Sequence, residues 1–137
     1  VANITTTNVD LGSVALEVWG TLDAVLRNAA GAEHTFVEGT LLARHATDGK
    51  LYPYDPADTT EDLDQPKYVL MYDVTAAATS DNRVTVLSAG RVNQQRLLID
   101  DGSTVEAAAA ADLDKLLNRP IIPVDTTQLA KIDNPQS

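Results

Sequence analysis

Between residues 39 and 97 the sequence falls into short β-patterned runs separated by turn residues, and this punctuation restricts the fold more than any other feature. Residues 40–45 are followed by Asp48-Gly49, residues 50–54, an acidic stretch at 55–66 and an apolar run at 68–74. A small-residue loop at 76–82 leads to a last run over 84–97. Asp-Gly tolerates the positive φ that a two-residue type I′ turn needs, so 40–45 and 50–54 are expected to pair as an antiparallel hairpin. Pro53 cannot donate to a ladder and belongs at a strand end or on an edge. The nearly continuous apolar run 68–74 fits one strand covered on both faces. Gly90 bends or bulges the run that starts at Val84, and Asp100-Asp101-Gly102 ends the segment that follows it.

Ahead of this framework, Val14, Leu16 and Val18 alternate with Ala15, Glu17 and Trp19, as in a half-buried strand or a docking segment. Trp19 stands beside Gly20 and is read either as a core or rim-packing residue or as an interface anchor, tryptophan being enriched at binding hot spots. Residues 21–27 give a second strand ending in an Asn28-Ala29-Ala30-Gly31 turn. A helix is the alternative there, since Leu22, Val25, Leu26 and Ala29 fall at i, i+3, i+4 and i+7. Residues 1–9 carry Ile4-Thr5-Thr6-Thr7 without enough apolar side chains for a core strand. They read as a frayed end or as an arm that becomes a strand on a partner's sheet edge.

After Gly102 the period changes. Ser103-Thr104-Val105-Glu106 has the form of a capping box, Val105, Ala109, Leu113, Leu116 and Leu117 share one helical face, and Asn118-Arg119-Pro120 stops the helix. A helix over about 104–118 is expected. Residues 121–124 return to an extended pattern. The fold class is therefore mainly β, a small β-barrel or sandwich with one helix in its C-terminal half and an extended N-terminal arm. Residues 1–12 form the arm, 13–132 a single β-rich domain and 133–137 a polar tail.

Composition narrows the function. Twenty acidic residues against ten basic give a net charge of −10, which repels phosphate backbones and anionic membrane surfaces, so neither nucleic acid nor membrane is an expected partner. There is no cysteine, which removes disulfides and thiolate zinc sites. No apolar run approaches the length that spans a bilayer, and the reading is a soluble chain with a processed or trimmed start. His34 and His45 lie eleven residues apart with none of the spacings of a zinc site. No G-x-S-x-G, S-x-x-K or glycine-rich phosphate loop occurs. The five acids of 55–66 (Asp55, Asp58, Glu61, Asp62, Asp64) lack the spacing and glycine of an EF-hand, and they read as a solvated loop. Tyr52 and Tyr54 read as one strand-face pair and Tyr68 and Tyr72 as another. Packing with a hydroxyl at the rim is favoured for both over a stacking platform. The expectation is a protein that is not an enzyme and needs no cofactor.

The ordered pieces Gly39-Thr40-Leu41-Leu42-Ala43, Gly49-Lys50-Leu51-Tyr52-Pro53-Tyr54-Asp55-Pro56, Val69-Leu70-Met71-Tyr72-Asp73-Val74 and Val86-Leu87-Ser88-Ala89-Gly90-Arg91-Val92-Asn93 resemble the head decoration proteins of tailed bacteriophages, the lambda-D-like family. The resemblance covers roughly residues 31–117. It implies a virion structural protein, made in the host cytoplasm, that binds the outer surface of the expanded capsid at three-fold or quasi-three-fold sites and cements the head. The implied partners are the major capsid protein and the chain itself, as a homotrimer. The resemblance also implies docking through the arm, here Asn3, Ile4, Thr5, Thr6, Thr7, Val9 and Leu11. The longer front segment 11–30 and the acidic loop depart from the family pattern. The alternative function is a carbohydrate- or ligand-binding β-module on a phage or cell surface, with Trp19, Tyr52 and Tyr54 as its candidate aromatic platform.

Overall fold

One long strand organises the sheet, β7 (Ser80–Asn93), because among the described strands it alone pairs with three others. The computed structural model describes residues 14–102 and 104–125. In chain order the other described elements are β1 (Ala15–Asn28), β2 (His34–Phe36), β3 (Leu41–Arg44), β4 (Leu51–Pro53), β5 (Tyr68–Leu70) and β6 (Val74–Ala76). After β7 come β8 (Leu98–Asp100), β9 (Val105–Ala107), α1 (Ala110–Leu116) and β10 (Ile121–Val124). β1 lies antiparallel to β7 over its whole length. On the other edge β5 pairs at Val86 and Leu87, and β10 runs parallel to Gly90–Asn93. The order β1-β4-β3-β5-β7, with β1 returning to β7, makes a partly closed ring. Closure between β1 and β4 rests on the single pair Leu26↔Leu51, so the architecture is sandwich-like and not a clean barrel.

The core divides across this sheet as the two-residue period of a strand requires. Leu41, Ala43, Val69, Leu87 and Val92 enter one cluster, with Tyr54, Leu116 of α1 and Ile121 of β10. The alternate positions Leu42, Leu70, Val84 and Val86 enter a second, with Leu26, Leu51 and Phe36. β3 and β5 are thus covered on both faces, which explains their continuous apolar sequence.

Four expectations are corrected in detail. First, the two front strands are one, and the helical alternative for 22–30 is excluded: Leu26 and Asn28 are both buried, a period of two. Gly20 does not break the strand; β-bulges on either side of it absorb the irregularity. Second, the run 68–74 splits. Gly39 N–H donates to Leu70 O at 2.8 Å, closing the end of β5, and Glu38 N–H donates to Asp73 Oδ1 at 2.8 Å, turning the chain so that β6 pairs with β2.

Third, β3 and β4 pair as expected, but through a wider turn. Only Gly49 takes a positive φ there, and its N–H donates to His45 O at 3.0 Å. Fourth, the helix is shorter than 104–118. Asp101 accepts from the N–H of Thr104 at 2.7 Å and from its hydroxyl at 3.1 Å, and this turn folds Val105–Ala107 back onto β8 as β9. The helix starts at Ala110, where the Asp112 carboxylate accepts from Ala109 N–H at 2.9 Å. That gives the carboxylate half of a capping box, three residues behind a cap that has no side-chain oxygen of its own.

Two glycines hold the backbone at close approaches. A Cβ on Gly90 (φ +149°) would lie 2.2 Å from Glu17 O, and one on Gly39 (φ +96°) 2.0 Å from Arg96 O. Gly102 (φ +94°) faces open space. Urea unfolding should therefore show Gly90→Ala and Gly39→Ala losing about 3 kcal/mol or more each. Gly102→Ala, strained only through its φ, should lose about 1–2 kcal/mol. Equal losses at all three would mean that the contacts add nothing beyond the backbone conformation.

Candidate docking surface

The side chains with chemical potential are engaged in holding the fold. His34 Nε2 lies 2.6 Å from Asp100 Oδ2, and the buried Asp100 also accepts from Gly102 N–H, tying β2 to β8. His45 Nδ1 accepts from the backbone N–H groups of Thr47 and Asp48 at 3.3 Å, and its ring packs on Tyr52. Among the described residues no three His, Asp or Glu side chains converge as a metal site requires. In the acidic loop, Asp55 and Asp58 accept from the N–H groups of Ala57 and Thr60 two residues on. These carboxylates shape their own turns, as aspartate does in an Asx-turn.

The tyrosines expected as a pair part company. Tyr52 is half-buried, and its hydroxyl donates to Asp48 Oδ2 at 3.0 Å. Tyr54 is fully buried and donates to Asp112 Oδ1 at 2.6 Å. Lys115 Nζ donates to the Tyr54 hydroxyl at 3.1 Å and to Asp64 O at 3.0 Å. These bonds fasten α1 to the residue that follows β4 and to the acidic loop. Their only sequence signal was the i,i+3 spacing of Asp112 and Lys115 on one helix.

The exposed apolar side chains lie elsewhere. From Glu17 to Asp23 the strand β1 is solvated on both faces except at Gly20, and Val18, Trp19 and Leu22 are 48%, 51% and 38% exposed. β7 covers one edge of this stretch, and among the described residues the other edge has no strand partner before Leu26. Val18 pairs with Gly90 and Gly20 with Ala89, which leaves Trp19 as the extra residue of a bulge. A bulge re-aims the side chain it carries, and here it turns the indole outward. Trp19 is thus not a core residue. The arm positions Asn3, Ile4, Thr5, Thr6, Thr7, Val9 and Leu11 lie outside the described residues.

Exposed apolar side chains along a sheet edge are the kind of surface that other proteins bind. Residues 22–121 match the family model of bacteriophage lambda head decoration protein D. The chain belongs to this family. The matched span contains the inner part of β1, all of β2 to β9, α1, the second core cluster and every buried residue of the first except Val14, and it extends on both sides of the stretch whose motifs carried the resemblance. No curated protein matches the chain. As a head decoration protein the chain is a structural component of the virion, on the outer surface of the capsid.

The buried phenol allows a direct test of the helix clamp. Burial, and then the hydrogen bond to Asp112, hold the Tyr54 phenol well above the ordinary tyrosine range. The unfolded chain ionises near pH 10 while the folded chain keeps its proton. The contribution of Tyr54 to stability is therefore complete below about pH 10 and is lost as pH rises above it towards the folded value. Tyr54→Phe should lower stability at neutral pH by about 1–3 kcal/mol, since it leaves buried partners unsatisfied. It should also flatten the alkaline fall in stability followed by urea unfolding between pH 8 and 11. An unchanged alkaline slope would place the titrating group elsewhere.

Proposed function

We propose that the protein cements the phage head: it binds the expanded shell at three-fold or quasi-three-fold positions as a homotrimer, docking on the major capsid protein through its N-terminal arm. The observation that carries this reading is the exposed edge of β1 around Trp19, which has no strand partner among the described residues. The arm residues Asn3, Ile4, Thr5, Thr6, Thr7, Val9 and Leu11 are mostly β-prone, and added as a strand they would gain main-chain hydrogen bonds from a sheet edge. Trp19 then acts as an interface anchor at the root of the arm, where a large apolar surface leaves water on contact.

Cementing needs no chemistry. A ligand that binds the assembled shell and not its free subunits stabilises the assembled state by its binding free energy. A trimer multiplies the effect, because the first contact raises the effective concentration for the second and third. The alternative, a sugar-binding platform of Trp19, Tyr52 and Tyr54, loses its support: Tyr54 is buried and Tyr52 is hydrogen-bonded to Asp48.

Deletion of residues 1–10 should abolish co-sedimentation with expanded capsids while leaving the circular dichroism and unfolding midpoint unchanged; retained binding would move docking to another segment. Trp19 is the single tryptophan and reports its own surroundings. Acrylamide should quench its emission freely in the unbound protein and poorly on the shell, with a shift to the blue. Light scattering at micromolar concentration should give the mass of three chains, and a monomer mass would remove the trimer from this reading.

A further inference from the structure

The end of the ring opposite the bulged edge carries a cleft of about 200 Å³, bounded by the end of β1, by β2 and β4, and by the turn after β8. Its apolar wall is Phe36, Tyr52, Pro53 and Leu63, with Phe36 buried beneath. That volume is below the 300–1,000 Å³ typical of sites for drug-sized ligands and corresponds to a single side chain. The lining is anionic: Asp55, Asp58 and Asp101 contribute carboxylates. The two cationic candidates are already engaged, Arg27 with Asp81 at 3.2 Å and His34 with the buried Asp100 at 2.6 Å. The cleft lies away from β1 residues 17–23, so it is a second surface and not part of the bulged edge.

We infer that this cleft is a socket for one apolar side chain presented by a cationic segment of the capsid shell protein. The inference rests on the decoration reading above. Charge selects the occupant: an acidic segment is repelled by the rim, whereas a segment with Lys or Arg beside an apolar residue meets both the rim and the wall. The apolar side chain supplies the desolvated contact, and the flanking cations set the orientation and make the affinity fall with salt.

The test has two arms. In the first, the amide NMR spectrum of the full chain is followed during titration with acetyl-Lys-Leu-Lys-amide, acetyl-Lys-Gly-Lys-amide and acetyl-Glu-Leu-Glu-amide. Saturable shifts confined to the surroundings of Phe36, Leu63 and Gly102, and strongest for the first peptide, are expected. The double variant Asp58→Asn/Asp101→Asn, which removes both charges and keeps an acceptor oxygen for each turn, should weaken that binding by about fivefold or more. Shifts spread over the surface, or equal for the glycine peptide, overturn the socket.

In the second arm, the same variant, shown by its spectrum to be folded, is compared with the unaltered protein on expanded capsids. A loss of about fivefold in affinity supports the assignment. Unchanged shell affinity overturns it even where the peptides bind. Failure of the unaltered protein to bind shells at all overturns the decoration reading itself, and with it the shell protein as occupant.

Discussion

The close approach of Gly90 to the carbonyl of Glu17 is the contact on which the rest of the structure depends. It lies where β7 carries β1 on one edge and begins to carry β10 on the other; Gly90 N–H donates to Pro120 O at 2.8 Å on the β10 side. A side chain here would push the β1 backbone away and open the ladder at its most crowded point. The same glycine permits the bulge that turns Trp19 out of the sheet. One missing Cβ thus couples the packing of three strands to the presentation of the largest exposed side chain. The coupling is steric and owes little to any particular hydrogen bond.

The ring is held less evenly than its strand order suggests. β1 and β7 share a long ladder, but β1 and β4 meet at one pair, Leu26↔Leu51. That seam is closed by burial of both leucines in the second core cluster. Outside it, Asp81 is bonded by Lys50 Nζ at 2.9 Å and Arg27 at 3.2 Å, linking β7 to β1 and to the residue before β4. Lys50, and then Arg27, hold the Asp81 carboxyl below the usual carboxylate range. The pairs are exposed and screened by salt, so they orient the strands more than they stabilise them. The first cluster is fastened differently: Tyr54, Asp112 and Lys115 satisfy one another at its margin, and α1 is fixed by a polar chain as well as by Leu116. Seven residues make too short a helix to persist alone, and its stability comes from this docking.

Much of this was legible in the residues. The pairing within 40–54, the burial of β5 on both faces, the part of β7 from Val84 to Asn93 and the extended 121–124 follow from local pattern and turn chemistry; the start of β7 at Ser80 and its end at Asn93 do not. What escaped has a common cause: a distant or competing partner decided the outcome. Val105 and Glu106 have a helical pattern, yet Asp101 captures Thr104 and turns them into a strand. Met71 continues an apolar run, yet Asp73 is drawn to the Glu38 amide and ends it. Gly20 reads as a boundary, but the bulges around it let one strand pass through. The surface was less legible than the fold. Trp19 could be narrowed to core or anchor and no further, because its outward aim is set by a register shift against Gly90, seventy-one residues away in sequence.

The family match begins at Leu22, inside β1 and three residues after Trp19, so a single strand joins two regimes. From Ala24 to Asn28 the side chains are half-buried or buried and serve the second core cluster and the seam. From Glu17 to Asp23 they are exposed apart from Gly20 and serve no core contact. Substitution of exposed residues costs little stability, usually within about 0.5 kcal/mol. The outer half of the strand is therefore free to be fitted to a partner without disturbing the inner half that builds the ring. The exception is the residue across the ladder: Gly90 belongs to the scaffold by position and to the surface by consequence. Any change there must alter stability and the aim of Trp19 together, which is why the exposed edge of this protein cannot be understood from exposed residues alone.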